Sequence, residues 1–428
     1  MLRYRSLRNA LCLLCVLLAS CGGKSNDNSS GRVRIVNALS GATISVTIDT
    51  TVFAPSLGFE QFTGYQSVSS GTREFKVSAN GGSTNVIDMQ FSVNSGTDYT
   101  FVVYGPVSAA ASVLLNDSFT TPSSGQFLFR VSNLAAGIGP VDAYVTAPGA
   151  DLSVTSPSVA GIPYGSTNAF ATLNAGSYEL RLTSANTKDV IFDSVPRSFA
   201  EKTANQAIVY SKGSGRLGNV IGLDNNGNAA VADNLLAEFK VVNASQVTSS
   251  LNFFVDGTLA LSNVPPAGVS AYQKVPAGTR NITVESSATP GATLLTVAPT
   301  LASGTATSIA VVGTAGALSP LVLTDNDLPP AAGRARVRIV NASPDFGSVD
   351  VFVNFSRQVT GLTTGGASSY LDFAADLNGT SYEFDFNMAG ATSSSLVLPG
   401  VSLVAGKTYT IYMIGPASAL RGVVSRDT

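Results

Sequence analysis

The sequence predicts an all-β chain: four tandem small antiparallel β-sandwich (immunoglobulin-like) domains behind an N-terminal export segment. Three observations carry that expectation. Short stretches alternate apolar and polar residues with period two, none keeps a long helical period, and the breaks between them collect Gly, Pro, Asn and Ser. Residues 334–354 show the pattern at its clearest. Ala335, Val337 and Ile339 share one face of a strand, and Arg334, Arg336 and Arg338 share the other. Asn341, Ser343, Pro344, Asp345 and Gly347 then bend the chain, after which Val349, Val351 and Val353 alternate with Asp350 and Phe352.

Weaker copies of this segment open three earlier units, at Arg32-Val33-Arg34-Ile35-Val36-Asn37-Ala38, at Phe129-Arg130-Val131-Ser132-Asn133 and at Phe239-Lys240-Val241-Val242-Asn243-Ala244-Ser245. The aligned residues Asn37, Asn133, Asn243 and Asn341 lie 96, 110 and 98 positions apart, which is a domain length rather than a solenoid period. A second strand recurs at 44–48, 141–145, 251–255 and 349–353. Gly71, Gly176, Gly278 and Gly379 each lead another alternating strand. A further Gly-led strand follows at 96–104, 304–312 and 406–414, with a looser copy at 206–210, and a short apolar strand closes each unit at 112–115, 219–223, 320–323 and 422–424. Five or more strands in about a hundred residues suit a small sandwich or barrel; the sandwich is preferred because it suits beads with termini at opposite ends. The domains are placed at 31–121, 126–228, 235–326 and 334–428, with Pro329 and Pro330 stiffening the last linker.

The N-terminus is read as an address. Arg3, Arg5 and Arg8 precede the uncharged apolar run 10–18, too short to span a bilayer but fitted to a secretory signal. Leu18-Ala19-Ser20-Cys21-Gly22 resembles the bacterial lipobox, which implies a signal peptide over 1–20 and lipidation of Cys21. Residues 21–30 then form the acylated Cys and a polar tether without apolar anchors. The expected location is the bacterial cell envelope, with the outer membrane favoured because Gly22 stands where an inner-membrane retention Asp would.

Composition excludes several chemistries. The chain of 428 residues has 25 basic and 27 acidic residues, no run of either sign and no electrostatic footprint for nucleic acid. It has no His, and its three Cys all lie within the first 21 residues, so Ser-His-Asp and Cys-His catalysis, imidazole or thiolate zinc sites and a disulfide framework are excluded from the body. No cofactor or metal is expected.

Arg336-Val337-Arg338-Ile339-Val340-Asn341-Ala342-Ser343-Pro344-Asp345, followed by Val349-Asp350-Val351-Phe352-Val353, resembles the opening of the domain-of-unknown-function family 4397, found in bacterial exported, lipoprotein and wall-attached proteins. The match is close in unit four, fair in units one and three, and weak in unit two, where Leu134-Ala135-Ala136-Gly137 replaces the Ser-Pro-Asp turn. Family members often carry His at the position of Asn341. The resemblance implies a β-rich extracytoplasmic module and no established activity.

Few residues stand out as chemical candidates. Asp345 and Asp350 could form a glycosidase-like carboxylate pair, although a turn role for Asp345 is the simpler reading. Asp224-Asn225-Asn226-Gly227-Asn228 is rich in oxygen ligands, but its Gly comes too early for an EF-hand and no distal Glu follows, so a turn is preferred; Asp325-Asn326-Asp327 is read the same way. The recurrent Asn residues are read as structural, bonding the backbone of the following turn. Phe352, Tyr412 and Tyr104 fall opposite the apolar parity of their strands and, with Asp345, are the candidates for recognition; cover by a neighbouring bead is the competing reading for the aromatics. The functional expectation is a non-enzymatic binding or adhesion module, anchored in membrane lipid through Cys21, for a glycan or envelope protein. The alternatives are a structural spacer without a ligand and a carboxylate-dependent carbohydrate-active enzyme. Unit four is placed farthest from the membrane.

Overall fold

The computed structural model describes residues 29–428 and is all-β, with no α-helix among the described residues. The export segment, Cys21 and nearly all of the tether lie outside the described residues. Domain 1 contains β1 (Ser30–Leu39), β2 (Ile44–Ile48), β3 (Thr51–Leu57), β4 (Gln66–Ser69), β5 (Gly71–Ala79), β6 (Asn85–Val93), β7 (Asp98–Gly105) and β8 (Ala111–Asn116). They form two sheets, ordered β4-β1-β7-β8 and β3-β2-β5-β6, closed over a core that includes Val33, Ile35, Val46, Phe75, Val77 and Phe101. Domains 3 and 4 repeat this order, and domain 2 repeats it with its edge strands divided. β3, β4 and β6 and their counterparts are the strands the alternation did not single out.

Every pairing in domain 1 is antiparallel except one. β1 and β7 run parallel from Arg32 opposite Asp98 to Leu39 opposite Gly105, and the same parallel pair recurs in the other three domains. Because β8 runs antiparallel to β7, it ends beside the start of β1. Entry and exit of a domain therefore share one end, not the opposite ends that a row of beads requires.

A short linker leaving that end brings the next domain alongside. Domains 1 and 2 pack sheet against sheet through Val36, Val102, Tyr104 and Leu115 on one side and Leu134, Ile208, Tyr210 and Ile221 on the other. Domains 3 and 4 pack in the same way through Val242, Ala244 and Ala310 against Val340, Tyr412 and Ile414. The run from Arg338 to Asn341 is accordingly buried on both faces, as expected where a sheet is covered on each side.

Domain 2 departs from the rule by one element. The strand Ala229–Ala232 pairs antiparallel with Asn219–Asp224 and returns the chain to the other end of the domain. Domain 3 starts there. Ser303 Oγ donates to Asn234 O at 2.7 Å, Lys274 Nζ meets Asp189 at 2.6 Å, and Arg216 of domain 2 makes a two-bond fork to Glu238 at the start of domain 3. The four domains thus form two back-to-back pairs stacked end to end, with domains 3 and 4 side by side in the upper tier.

Three of the four recurrent Asn residues, Asn37, Asn133 and Asn341, bond the backbone of the following turn as the sequence predicts. Asn37 Nδ2 donates to Ala42 O and Leu57 O, and Asn341 Nδ2 to Gly347 O and Leu362 O, tying the turn after the first strand to the end of the third strand in the other sheet. Asn133 repeats both bonds and Asn243 the second. All four are fully buried, so each amide satisfies carbonyls that would otherwise be stranded between sheets.

A charged cluster closes the linker end of each pair. Between domains 3 and 4, Arg338 reaches back to Asp325 (2.5 Å) while Lys240 reaches forward to Asp427, and Ser308 and Thr410 donate to the same two carboxylates. Arg216 extends this cluster to Asp327 at 3.0 Å. Burial, with the charges of Asp325 and Asp427, pushes Asp327 up to about 7 despite Lys240 and Arg216. The linker acids Asp325 and Asp327, expected as ordinary turn residues, are instead buried ionic anchors, because the linker is enclosed between domains.

Candidate functional site

In domain 4 the outward face of the second sheet carries a groove. The strand Val349–Val353 buries Val349, Val351 and Val353 and turns Asp350 and Phe352 the other way. Register sets Asn387 opposite Asp350, with Asp385 and Arg357 on either side of Phe352. These residues and Phe355 line a groove of about 540 Å³. The Arg357 guanidinium sits 6.0 Å from the centre of the Phe352 ring and 3.6 Å from the Asp350 carboxylate.

Phe355 gives the groove its most unusual feature. The hairpin after Val353 turns through Asn354 and Phe355, both at positive φ (46° and 67°), the backbone of a two-residue turn that favours Asn-Gly. Domain 3 supplies Asp256-Gly257 at the equivalent turn. A Phe in that conformation is strained, and its ring is 85% exposed at the groove rim. The sequence carried the signal, an Asn-Phe where the turn calls for Asn-Gly, but it becomes legible only once the turn is located. Tyr144 and Phe254 occupy the register of Phe352 in domains 2 and 3, so an outward aromatic recurs on this strand.

Two carboxylates, Asp350 and Asp385, line the groove, and Asp350 is tied to the backbone. Asp350 accepts from Gly361 N at 2.7 Å and Gly390 N at 3.2 Å, and these bonds, with Arg357, hold it below the usual carboxylate range. It is therefore a poor proton donor. Asp142 accepts from Gly161 N and Asn186 N at the matching position of domain 2, which marks this as a structural clamp. Asp345 does not join it. Its carboxylate caps Ala417 N at 2.8 Å and lies 3.4 Å from the Ser343 hydroxyl, the turn role preferred from sequence.

The remaining predicted aromatics are buried. Tyr412 is wholly enclosed between domains 3 and 4, and Tyr104 lies in the interface of domains 1 and 2, edge-on to Tyr164 at 6.0 Å. Their polar parity reflects cover by a neighbouring domain, leaving Phe352 as the predicted aromatic that reaches a groove. Asp224 folds its own loop, accepting from Asn226 N and Asn228 N at 2.9 Å each. Among the described residues no group of three or more acidic residues is arranged to hold a metal ion, and no helix is long and apolar enough to cross a membrane.

A search of curated proteins finds no match. Among solved structures, CBMbc (family CBM26) from Eubacterium rectale Amy13K in complex with maltoheptaose is 12% identical, covering 47% of this chain and 95% of that one with a TM-score of 0.16. The Bacillus anthracis TIE protein is 10% identical, covering 87% of this chain and 68% of that one with a TM-score of 0.15. Superposition at that level carries nothing over to this chain. The family described as Domain of unknown function (DUF4397) matches residues 31–144, 237–352 and 335–428, passing over domain 2 from residue 145 onward. The chain belongs to the DUF4397 family.

Proposed function

We propose that this protein is an exported lipoprotein, held in the bacterial envelope through acylated Cys21, that binds a glycan or an envelope protein without catalysis through the domain 4 groove. The observation that carries the reading is Phe355. A strained, exposed ring is retained at the rim of a groove that already holds Phe352, Arg357 and Asp385. Such strain destabilises the fold and makes sense where the ring has work outside it. An aromatic floor and rim with charged and amide groups between them suits stacking on a sugar ring or gripping a peptide side chain.

The test is binding of the chain from Lys24 onward to arrayed glycans and to envelope extract, with Phe355→Gly and Phe352→Ala alongside. Phe355→Gly is expected to raise stability by about 1 kcal/mol, by relieving the positive φ, and to weaken binding at least tenfold. Saturable binding that both variants retain would remove the groove from the function, and absence of saturable binding would leave the spacer reading. That alternative draws support from the buried ionic contacts that join the two tiers. The anchor is tested separately: Cys21→Ser is expected to move the protein from the membrane fraction to the soluble one.

A further inference from the structure

Domain 2 has a cavity at a position where its sister domains place larger core residues. In the β7 equivalents the core-facing residues read Tyr99 and Phe101 in domain 1, Thr307 and Ile309 in domain 3, and Tyr409 and Ile411 in domain 4. Domain 2 has Asn205 and Ala207. The neighbouring strand places Leu114, Val322 and Val424 beside the second of these positions, and domain 2 places Gly222 there. Domain 2 thus lacks the bulky core residue that Phe101, Ile309 and Ile411 supply, and also the neighbouring contact that Leu114 adds in domain 1, whereas Val322 and Val424 are exposed; a cavity of about 190 Å³ opens at the site. The strand Ala229–Ala232, found in domain 2 alone, borders it with small side chains.

The walls are chemically specific. Phe199 stacks on Phe127 at 4.8 Å and meets Phe129 edge-on at 6.1 Å, with Tyr178 at 6.2 Å, so one side is aromatic. At the mouth stands Arg197. Its register opposite Tyr178 matches that of Phe91 in domain 1 and Val401 in domain 4, both of which pack on their cores. In domain 1 the Phe91 ring contacts Phe101 at 5.7 Å; domain 2 has a guanidinium and an empty volume in place of those two rings. A Cβ at Gly222 would come within 3.0 Å of Arg197 Nη1, so the glycine both opens the cavity and seats the cation. Arg197 makes no ion pair or side-chain hydrogen bond among the described residues.

We infer that this cavity is a second binding site, for a small carboxylate carrying one planar apolar ring. An apolar cavity of about 150 Å³ accommodates a benzene ring, so the volume here fits one ring and its substituent. The ring replaces the missing core against Phe199 and Phe129, and the carboxylate pairs with Arg197, whose fork matches it in two bonds. The domain 4 groove plays no part in this site.

The experiment is calorimetric titration of the full chain with sodium benzoate and with benzyl alcohol, repeated on Ala207→Ile and Arg197→Gln. Benzoate is expected to bind saturably at one site with a Kd of about 1 mM or below, and benzyl alcohol about tenfold more weakly. Ala207→Ile installs the residue of domains 3 and 4, so it should fill the volume and abolish binding without lowering the unfolding midpoint. Arg197→Gln, at an exposed position, should bring benzoate down to the affinity of the alcohol. Absence of saturable benzoate binding to the wild-type chain, undiminished binding to Ala207→Ile, or equal affinity for benzoate and the alcohol in the wild type would each overturn the assignment.

Discussion

The two domain pairs share an apolar interface and differ in the charges at its end. Between domains 3 and 4 the exchange is reciprocal: each domain sends a cation, Lys240 or Arg338, to the carboxylate that closes the other, Asp427 or Asp325. Between domains 1 and 2 only half of it survives. Arg130 reaches Asp117 at 2.9 Å, but the place of the second acid is taken by Asn225, whose oxygen accepts from Ala204 N. Arg34 turns instead to Thr100 at 2.7 Å and lies 3.6 Å from the same Asp117. Two buried cations thus share one carboxylate in the lower tier. In the upper cluster Arg216, Lys240 and Arg338 face Glu238, Asp325, Asp327 and Asp427, an excess of one acid, and burial together with the neighbouring carboxylates raises Asp327 to about 7. Apolar cover is therefore the constant that makes a pair, while the ionic exchange is adjustable.

The largest effect should come from breaking the reciprocal exchange. Arg338→Met leaves Asp325 buried with only Tyr272 and Ser308 as donors, and should cost about 3–5 kcal/mol in urea unfolding. The equivalent Arg34→Met should cost about 1–2 kcal/mol, because Asp117 keeps Arg130, Tyr65 and Thr100. Equal losses would show that the two clusters are energetically alike.

Next in size is the pH response, which should separate the tiers. Asp327 is raised from 3.8 to about 7, so the folded state holds a proton that the unfolded chain releases. Its contribution is present at low pH and is lost as pH rises from about 4 to about 7, and Asp327→Asn should flatten that part of the stability profile. A smaller change is expected from Asn225→Asp, which supplies the missing acid beside Arg34 and should stabilise the lower pair by about 1 kcal/mol, an effect that added salt should weaken in part because Asn225 is only half-buried. The smallest should be Tyr412→Phe. Its hydroxyl is buried without a hydrogen-bond partner, so its removal should change stability by less than about 1 kcal/mol in either direction.

Strand positions were legible because alternation names the inward residues directly: Val337, Ile339 and Val351 were read as core and are fully buried. The inward Asn residues were legible for a similar reason, since an amide at core parity after a strand must find backbone partners. Parity does not say which strand lies beside which. The parallel pairing of β1 and β7, and with it the shared end for entry and exit, leaves no trace in a period of two. Nor does parity distinguish solvent from a neighbouring domain, so Tyr412 and Arg338 looked outward when they face another sheet. A hint lay in Val340-Asn341-Ala342, where alternation gives way to continuous burial. In the groove, Phe352 was visible as an aromatic at polar parity, whereas Phe355 and Arg357 depend on a hairpin whose position the sequence left open. The domain 2 cavity was hidden for a different reason: Ala207 and Gly222 are unremarkable until register aligns them with Phe101 and Leu114.

The four-residue strand Ala229–Ala232 has a consequence for growth of the chain. A domain that ends on its β8 equivalent returns the polypeptide to the floor it started from, so the next domain is added sideways. A domain with one more strand delivers it to the ceiling, and the next is added above. Height is therefore governed by the parity of closing strands rather than by the number of domains. One such switch among four domains gives an object two domains tall and two wide. A switch after every domain would build a column of twice the height and half the girth, with both sheet-to-sheet seams exposed to water.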